Sequence, residues 1–356
     1  MVARTDRDWR HWRDPEWQDH HDTIQMSAPV DQSLRPAAAL DATAQSPQSQ
    51  THADTKAPMP RLAIIINPRG GTLAREGAPL LDALKAHDSV QQVETLEGDA
   101  AKVLSAIKLD RVDALAIAGG DGTIRAVTAA AMEARCPLPL LPLPLGTANL
   151  LPRALYGDRD ALSLLDEADG FERHDLTAGA LDGHLFLIAA AIGFPTALAR
   201  ARESLRDEDR RHKLAGAMRN AIASLGQAFR PRLTCRFDDR PAKGRASGLY
   251  VTLATDPLHE TIAPDPETAD QQGEATSFAA VLTRWRHIGD MAAAPVDTLT
   301  RTDNPDARTR PIAFNVAEIR SRKPLAAMID GEPLTLGRHA RIARLPDPVT
   351  VLKPSE

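Results

Sequence analysis

The chain has 356 residues, enough for about two domains on a prior of roughly 150 residues each. Its net charge of -5, with 26% charged residues, gives no bulk electrostatic case for a polyanion surface, so nucleic acid is not an expected partner. Cys136 and Cys235 lie far apart without metal-ligand spacing, which argues against a disulfide scaffold or zinc site, fits a reducing cytosol and leaves both expected as buried thiols.

No uncharged apolar run approaches the ~20 residues a membrane span needs. The best, Leu185 to Phe194, is short and ends at Pro195. The N-terminus opens on alternating charges rather than on a secretory signal, so cytoplasmic residence is the expectation. Residues 1–60 have few large apolar residues and read as a disordered tail, with Met59 as an alternative start. Trp9, Trp12 and Trp17 fit a short interfacial helix, but Arg4, Arg7, Arg10 and Arg13 are matched by Asp6, Asp8, Asp14 and Glu16, which leaves no cationic face.

From Arg61 strands alternate with helices. Leu62 to Ile66 is a continuous apolar strand, Asn67-Pro68-Arg69-Gly70-Gly71 a turn, and Ala74 to Ala86 a helix. Val90 to Leu96 is the next strand, followed by a helix over Gly98 to Ile107. A buried strand, Ala114 to Ala118, then runs into Gly119-Gly120-Asp121-Gly122-Thr123 and a helix reaching about Ala134. Leu138 to Leu145 follows, with prolines that suit a strand near a sheet edge. This alternation implies a parallel sheet whose ligands sit at the carboxyl ends of its strands. The Asn67 turn, the Asp121 turn and Gly146-Thr147-Ala148-Asn149 would share that edge.

After about Phe171 the texture becomes β-rich and a second domain is expected. Arg173 to Ala180 and Leu185 to Ile192 flank an Asp182-Gly183 turn as a hairpin, and Thr196 to Phe229 reads as mainly helical. Further strands are expected at Leu233 to Phe237, Gly248 to Ala254, Ser277 to Thr283, Ile312 to Ile319, Ala326 to Ile329 and Ala340 to Arg344. Asp256 to Gly273 and Pro295 to Arg310 read as polar loops.

The turn after Ala118 carries the chemistry. Glycines let a phosphate approach the backbone, and the helix behind aims its amides and positive dipole end at the anion. Asp121 inside such a turn repels a phosphate unless a cation lies between them or the acid takes part in the chemistry, which points to Mg²⁺-nucleotide handling. A plain strand-to-helix turn with Asp121 as N-cap is the alternative. Asp330-Gly331-Glu332 puts two carboxylates around a glycine, and is otherwise a plain hairpin turn.

Gly119-Gly120-Asp121-Gly122-Thr123, Pro144-Leu145-Gly146-Thr147-Ala148-Asn149 and Asp330-Gly331-Glu332-Pro333-Leu334 resemble, in order and spacing, the bacterial lipid kinases built on the diacylglycerol kinase catalytic domain. The resemblance runs from about Arg61 to Pro354; the group is similar to sphingosine and ceramide kinases and, more distantly, to NAD kinases. It implies an α/β nucleotide domain, residues 61–172, followed by a β-sandwich domain, residues 173–356, with the site in the cleft between them. It further implies a phosphotransferase to an alcohol acceptor that uses ATP and Mg²⁺ and reaches a membrane lipid by peripheral docking at the inner face of the membrane.

By matching position, Thr95, the turn from Gly119 through Gly120, Gly122 and Thr123 to Arg125, and Thr147 resemble the ATP contacts, together with Asn67, Gly70, Gly71, Gly146 and Asn149 of the flanking turns. Glu332 resembles the general base, with Asp330 beside it and the two carboxylates expected to raise each other's pKa, and Asp121 resembles the residue that handles Mg²⁺ or orients the phosphates. Four positions depart from the family pattern: Gly70 replaces a frequent serine, Arg125 a common asparagine and Leu150 a usual aspartate, and Asp256 to Gly273 lacks the glycine-rich stretch tied to a structural Mg²⁺. An NAD-kinase-like enzyme and a nucleotide-binding regulatory protein without catalysis are the rival readings. The oligomeric state and the identity of the lipid stay open.

Overall fold

In the computed structural model the described residues are 60–69, 71–193, 232–238, 240–242, 245–255, 278–284 and 309–355. The chain divides into two units, Met1–Pro58 and Met59–Glu356, and all described residues belong to the second. The tail, the helix expected over Thr196 to Phe229, the Asp256 to Gly273 loop, most of the Pro295 to Arg310 loop and Gly70 lie outside the described residues.

The first sheet has the order β2-β1-β3-β4-β18-β5. The centre of its parallel part, β2-β1-β3-β4, is β1 (Leu62–Ile66) and β3 (Ala114–Gly119), whose residues are all buried, as expected for strands covered on both faces. The edge strand β2 (Val90–Thr95) alternates between half-buried and exposed. Both β2 and β3 pair parallel to β1, and β4 (Leu140–Pro144) pairs parallel to β3.

Between these strands run α1 (Gly71–Glu76), α2 (Ala78–Ala86), α3 (Ala100–Ala106) and α4 (Asp121–Glu133). The single helix expected over Ala74 to Ala86 is thus two. Gly77, at φ 71°, breaks it, and Pro79 suits only the opening turn of the next helix. Asp99 caps α3, accepting from the Ala101 amide at 2.9 Å. After β4 come α5 (Leu150–Tyr156) and α6 (Ala161–Asp166).

The division at 172/173 does not follow the sheets. β5 (Phe171–Leu176) and β18 (Val349–Pro354) pair antiparallel, and β18 also meets β4 in parallel at Val351 and Leu140. β4 is therefore internal, not near an edge. Its prolines are tolerated because β18 pairs with it only at Leu140, before Pro142 and Pro144 remove their donors. The buried Tyr156 hydroxyl donates to the Leu352 carbonyl at 2.7 Å and fastens β18 to α5.

The remaining strands form two antiparallel six-stranded sheets. One has β6 (Gly179–Leu181), β7 (His184–Phe186), β9 (Thr234–Phe237), β10 (Arg240–Pro241), β14 (Val316–Arg320) and β17 (His339–Arg344). The other has β8 (Ala189–Gly193), β11 (Gly248–Thr252), β12 (Phe278–Thr283), β13 (Thr309–Phe314), β15 (Leu325–Ile329) and β16 (Glu332–Leu336). Their facing side chains make one core, with Phe278 5.6 Å from Phe186 and 5.4 Å from Phe314 between ring centroids.

The expected hairpin shrinks to β6 and β7 around Asp182 and Gly183, at φ 51° and 78°; the flanking residues leave for β5 and β8. The strand expected over Ile312 to Ile319 is two strands in different sheets. The chain crosses at Asn315, whose amide and that of Val316 donate to the Asp238 carboxylate at 3.0 and 2.9 Å. Cys235 is buried, and burial pushes its thiol up to about 12, whereas Cys136 is only half-buried, against the expectation for both. Among the described residues no helix is long and apolar enough to cross a membrane.

Candidate functional site

The carboxyl ends of β1, β3 and β4 meet at a cradle built by backbone. β3 ends in Gly119, Gly120 is the N-cap of α4, and the Gly120 carbonyl accepts from the Thr123 and Ile124 amides at 2.9 and 3.0 Å. Across it, Gly146 packs against Gly120: a Cβ on Gly120 would lie 3.1 Å from the Gly146 Cα. Only glycine at both positions permits that approach.

Side chains brace this backbone. The Asn67 amide group donates to the Thr123 hydroxyl at 2.7 Å, and its carbonyl accepts from the Arg69 amide at 3.0 Å, tying the β1 turn to α4. Asn149, at φ 50°, accepts from the Gly146 amide at 2.6 Å and donates to the Pro144 carbonyl at 3.1 Å. Asn67, Thr123 and Asn149 are thus committed to the frame. Thr147 is exposed beside Gly71, where a Cβ would lie 2.8 Å from its hydroxyl. Thr95 is exposed at the end of β2, paired in register with Ile66. Thr72, which the sequence reading did not single out, donates to the Gly146 carbonyl at 3.1 Å.

Asp121 is the first residue of α4 but caps another helix. Its carboxylate accepts from the Leu151 amide at 3.2 Å, within the first turn of α5, whose own N-cap Asn149 makes no capping bond. Burial raises its pKa, the α5 amides oppose that, and the charge of Glu332 adds to the rise.

The fourth wall comes from the turn between β15 and β16. Asp330, at φ 47°, is buried and turned inward, accepting from the amides of Leu187, Ile188 and Ala189 at 2.9, 2.9 and 3.0 Å. Burial pushes its carboxyl up to about 6, against the pull of those amides and of Arg125. The rise expected from mutual repulsion with Glu332 is therefore a desolvation effect. The anchoring amides of 187–189 carried no signal in the sequence.

Glu332, by contrast, projects outward over Gly122. A Cβ on Gly122 would collide with Glu332 Oε1 and lie 2.9 Å from its Cδ. Arg125 Nη2 pairs with Glu332 Oε2, and Arg125 Nη1 donates to the Ile329 carbonyl at 3.0 Å. The structure therefore brings together Gly119, Gly120, Asp121, Gly122, Arg125, Gly146 and Glu332. It sets Asp330 behind them as an anchor and Thr95 on the rim.

The donor set can be tested against a Mg²⁺-nucleotide. Mg²⁺ commonly binds through one or two carboxylates together with phosphates and water. Asp121, with one oxygen on α5, fits that role, although among the described residues no group of three or more His, Cys, Asp or Glu could hold an ion by itself. Beside the cradle, a cavity of about 510 Å³ is lined by Thr72, Arg75, Asn149, Arg153, Arg159 and Asp160 among others. Two of its arginines are already paired, Arg153 with Asp158 at 2.7 Å and Arg159 with Glu167 at 3.0 Å.

Parts of the chain are similar to known proteins. Residues 61–178 match the family model for the diacylglycerol kinase catalytic domain. A Pseudomonas aeruginosa protein named "Probable lipid kinase YegS-like" is 37% identical over 101 residues, covering 28% of this chain and 32% of that protein, so the match spans about a third of the relative's length. A solved structure of a Bacillus anthracis diacylglycerol kinase superposes with a TM-score of 0.52 at 15% identity, covering 82% of this chain and 96% of that one. A second structure from that organism gives 0.52 at 17% identity, covering 84% and 96%. At these identities the structural likeness establishes the fold.

Proposed function

From the premise that residues 61–178 carry a diacylglycerol kinase catalytic domain, we propose that the chain is an ATP- and Mg²⁺-dependent lipid kinase. Its acceptor is a hydroxyl of a membrane lipid, diacylglycerol or a ceramide or sphingoid base, reached by peripheral docking at the cytoplasmic face of the membrane. The observation that carries this reading is the placement of Glu332 directly over Gly122 of the glycine turn. A carboxylate beside a phosphate cradle is what transfer to an alcohol requires.

In that reaction the acceptor oxygen attacks the γ-phosphorus, the bond to the β-phosphate oxygen breaks, ADP leaves, and the hydroxyl proton passes to a carboxylate. Glu332 takes the proton. The amides around Gly120 and Gly122 at the α4 N-terminus face the phosphates. Asp121 would hold Mg²⁺, which supplies charge neutralisation on the phosphates when bound. Asn67, Thr123, Gly146 and Asn149 keep the cradle in shape, with Gly71, Thr95 and Thr147 on its border. Asp330 holds the turn that carries Glu332.

The test is incubation of the full chain with radiolabelled ATP, Mg²⁺ and separate micelles of diacylglycerol, ceramide and sphingosine, with NAD as a soluble acceptor. A labelled lipid formed by the wild type and lost in Glu332→Ala supports the reading. Labelled NADP would replace it with an NAD-kinase-like activity, and ATP binding without any product with a regulatory role.

A further inference from the structure

We propose that Arg125 is a positioning residue, one that sets the Glu332 carboxylate over the cradle and makes no contact with the nucleotide. The inference rests on the kinase reading for its catalytic meaning, but its geometry stands by itself. Gly122 and Arg125 are three residues apart on α4 and so lie on one face of the helix, one turn above the other. Glu332 rests on that strip. Its Oε1 fills the space that a side chain at 122 would take, while its Oε2 is bound by Arg125 Nη2.

The second arm makes the arrangement a clamp. Arg125 Nη1 reaches the Ile329 carbonyl at 3.0 Å, at the end of β15 and just before the turn that carries Glu332. One planar guanidinium thus grips both the strand and the carboxylate, across 204 and 207 residues of sequence. A guanidinium suits this because its donors form a rigid fork; an ammonium, as a point charge, can serve one partner well but not both in fixed geometry.

The division of labour between the oxygens follows. The Arg125 side chain is 22% exposed and that of Glu332 is 50% exposed, so the pair sits at the mouth of the site rather than in the core. With Oε2 occupied and the carboxylate's rotation fixed, Oε1 is the oxygen oriented toward the turn and available to an acceptor proton. Both Nη groups are engaged by the β15–β16 side of the site, Nη1 by the Ile329 carbonyl and Nη2 by Glu332.

The experiment uses the full chain with Arg125→Ala, Arg125→Lys, Glu332→Ala and the double variant. Steady-state kinetics on the lipid accepted by the wild type should show kcat lowered about 100-fold in Arg125→Ala, the scale of a misplaced reacting group. The KM for ATP should stay within about twofold, as for an interaction made only in the transition state. Arg125→Lys should recover part of kcat. ATP affinity, measured by binding alone, should be equal in wild type and Arg125→Ala, and the urea midpoints of wild type, Arg125→Ala, Glu332→Ala and the double variant of these two should be non-additive.

A tenfold loss of ATP affinity in Arg125→Ala would make it a phosphate contact and overturn the proposal, as would unchanged kcat or strictly additive midpoints. Failure of the kinase reading looks different. There the wild type binds ATP yet labels no acceptor, and the catalytic role of Arg125 falls with it.

Discussion

The two halves of the site are built in opposite ways. The cradle half comes from stretches at the ends of neighbouring parallel strands, and its shape is backbone shape: Gly120 against Gly146, with Asn67 and Asn149 as braces. The acid half comes from one hairpin turn in an antiparallel sheet, and its shape depends on side chains held from far away. Asp330 is anchored on residues 187–189, and Glu332 by Arg125. Substitutions should therefore break the first half through steric exclusion and the second through lost polar partners.

The largest effect is expected where the halves touch. Gly122→Ala improves the helix propensity of α4 by about 1 kcal/mol while displacing Glu332. The variant should unfold at equal or higher urea concentration than wild type yet lose about 10²- to 10⁴-fold of kinase activity, the range spanned by a general base. Parallel unfolding and activity measurements would show the split, and a fully active variant would remove Glu332 from the reaction.

Gly146→Ala should come next. Its new Cβ meets the Gly120 backbone, which cannot swing aside, so a loss of about 1–3 kcal/mol on urea unfolding should accompany weakened ATP binding. Unperturbed ATP affinity would mean that the cradle is not the phosphate site.

Asp330→Asn probes the acid half. It leaves at least one of the amides of Leu187, Ile188 and Ala189, the first two buried, without an acceptor, a cost of about 1–3 kcal/mol near neutral pH. Its pH dependence carries a sign. The folded-state carboxyl titrates at about 6, above the ordinary 3.8, so the folded chain binds the proton more tightly than the unfolded chain does. That contribution is full below about pH 4 and fades as pH rises through 6. Unfolding midpoints from pH 4 to 7 should lose this downward component in the asparagine variant.

Tyr156→Phe is the mildest change. It removes the bond to Leu352 while keeping the ring beside Phe171, with centroids 5.8 Å apart, and should cost about 1 kcal/mol. A shift in activity larger than that in stability would tie the β18 joint to the site.

The cradle half was legible in the sequence because its information is local. An unbroken apolar run followed by glycines has few other uses, and Leu62 to Ile66 and Ala114 to Ala118 became the central strands as read. The acid half was legible only as a motif. Glu332 and Asp330 look equivalent in sequence, yet a left-handed turn residue sends one inward and leaves the other outside, and the deciding amides are over 140 residues away. The partners of Arg125 were equally hidden: nothing near it in sequence names Ile329 or Glu332. In the sandwich, the run from Ile312 to Ile319 hid a change of sheet at Asn315, since apolar alternation is alike on both sides of the crossing. β18 went unread because a short segment ending in Lys353-Pro354 shows little by itself; its place is set by the partners waiting on either side.

That placement has a consequence for how the chain is made. Until residues 349–354 have been synthesised, β4 and β5 face an open slot in the first sheet, and at ~5–20 residues per second the slot stays open for tens of seconds after β4 appears. The nascent parallel-sheet half waits with unpaired backbone exposed, a template for adventitious strand pairing. A ribosome that stalls near residue 345 would release a chain holding every cradle and acid residue but lacking the strand that closes the sheet beneath them.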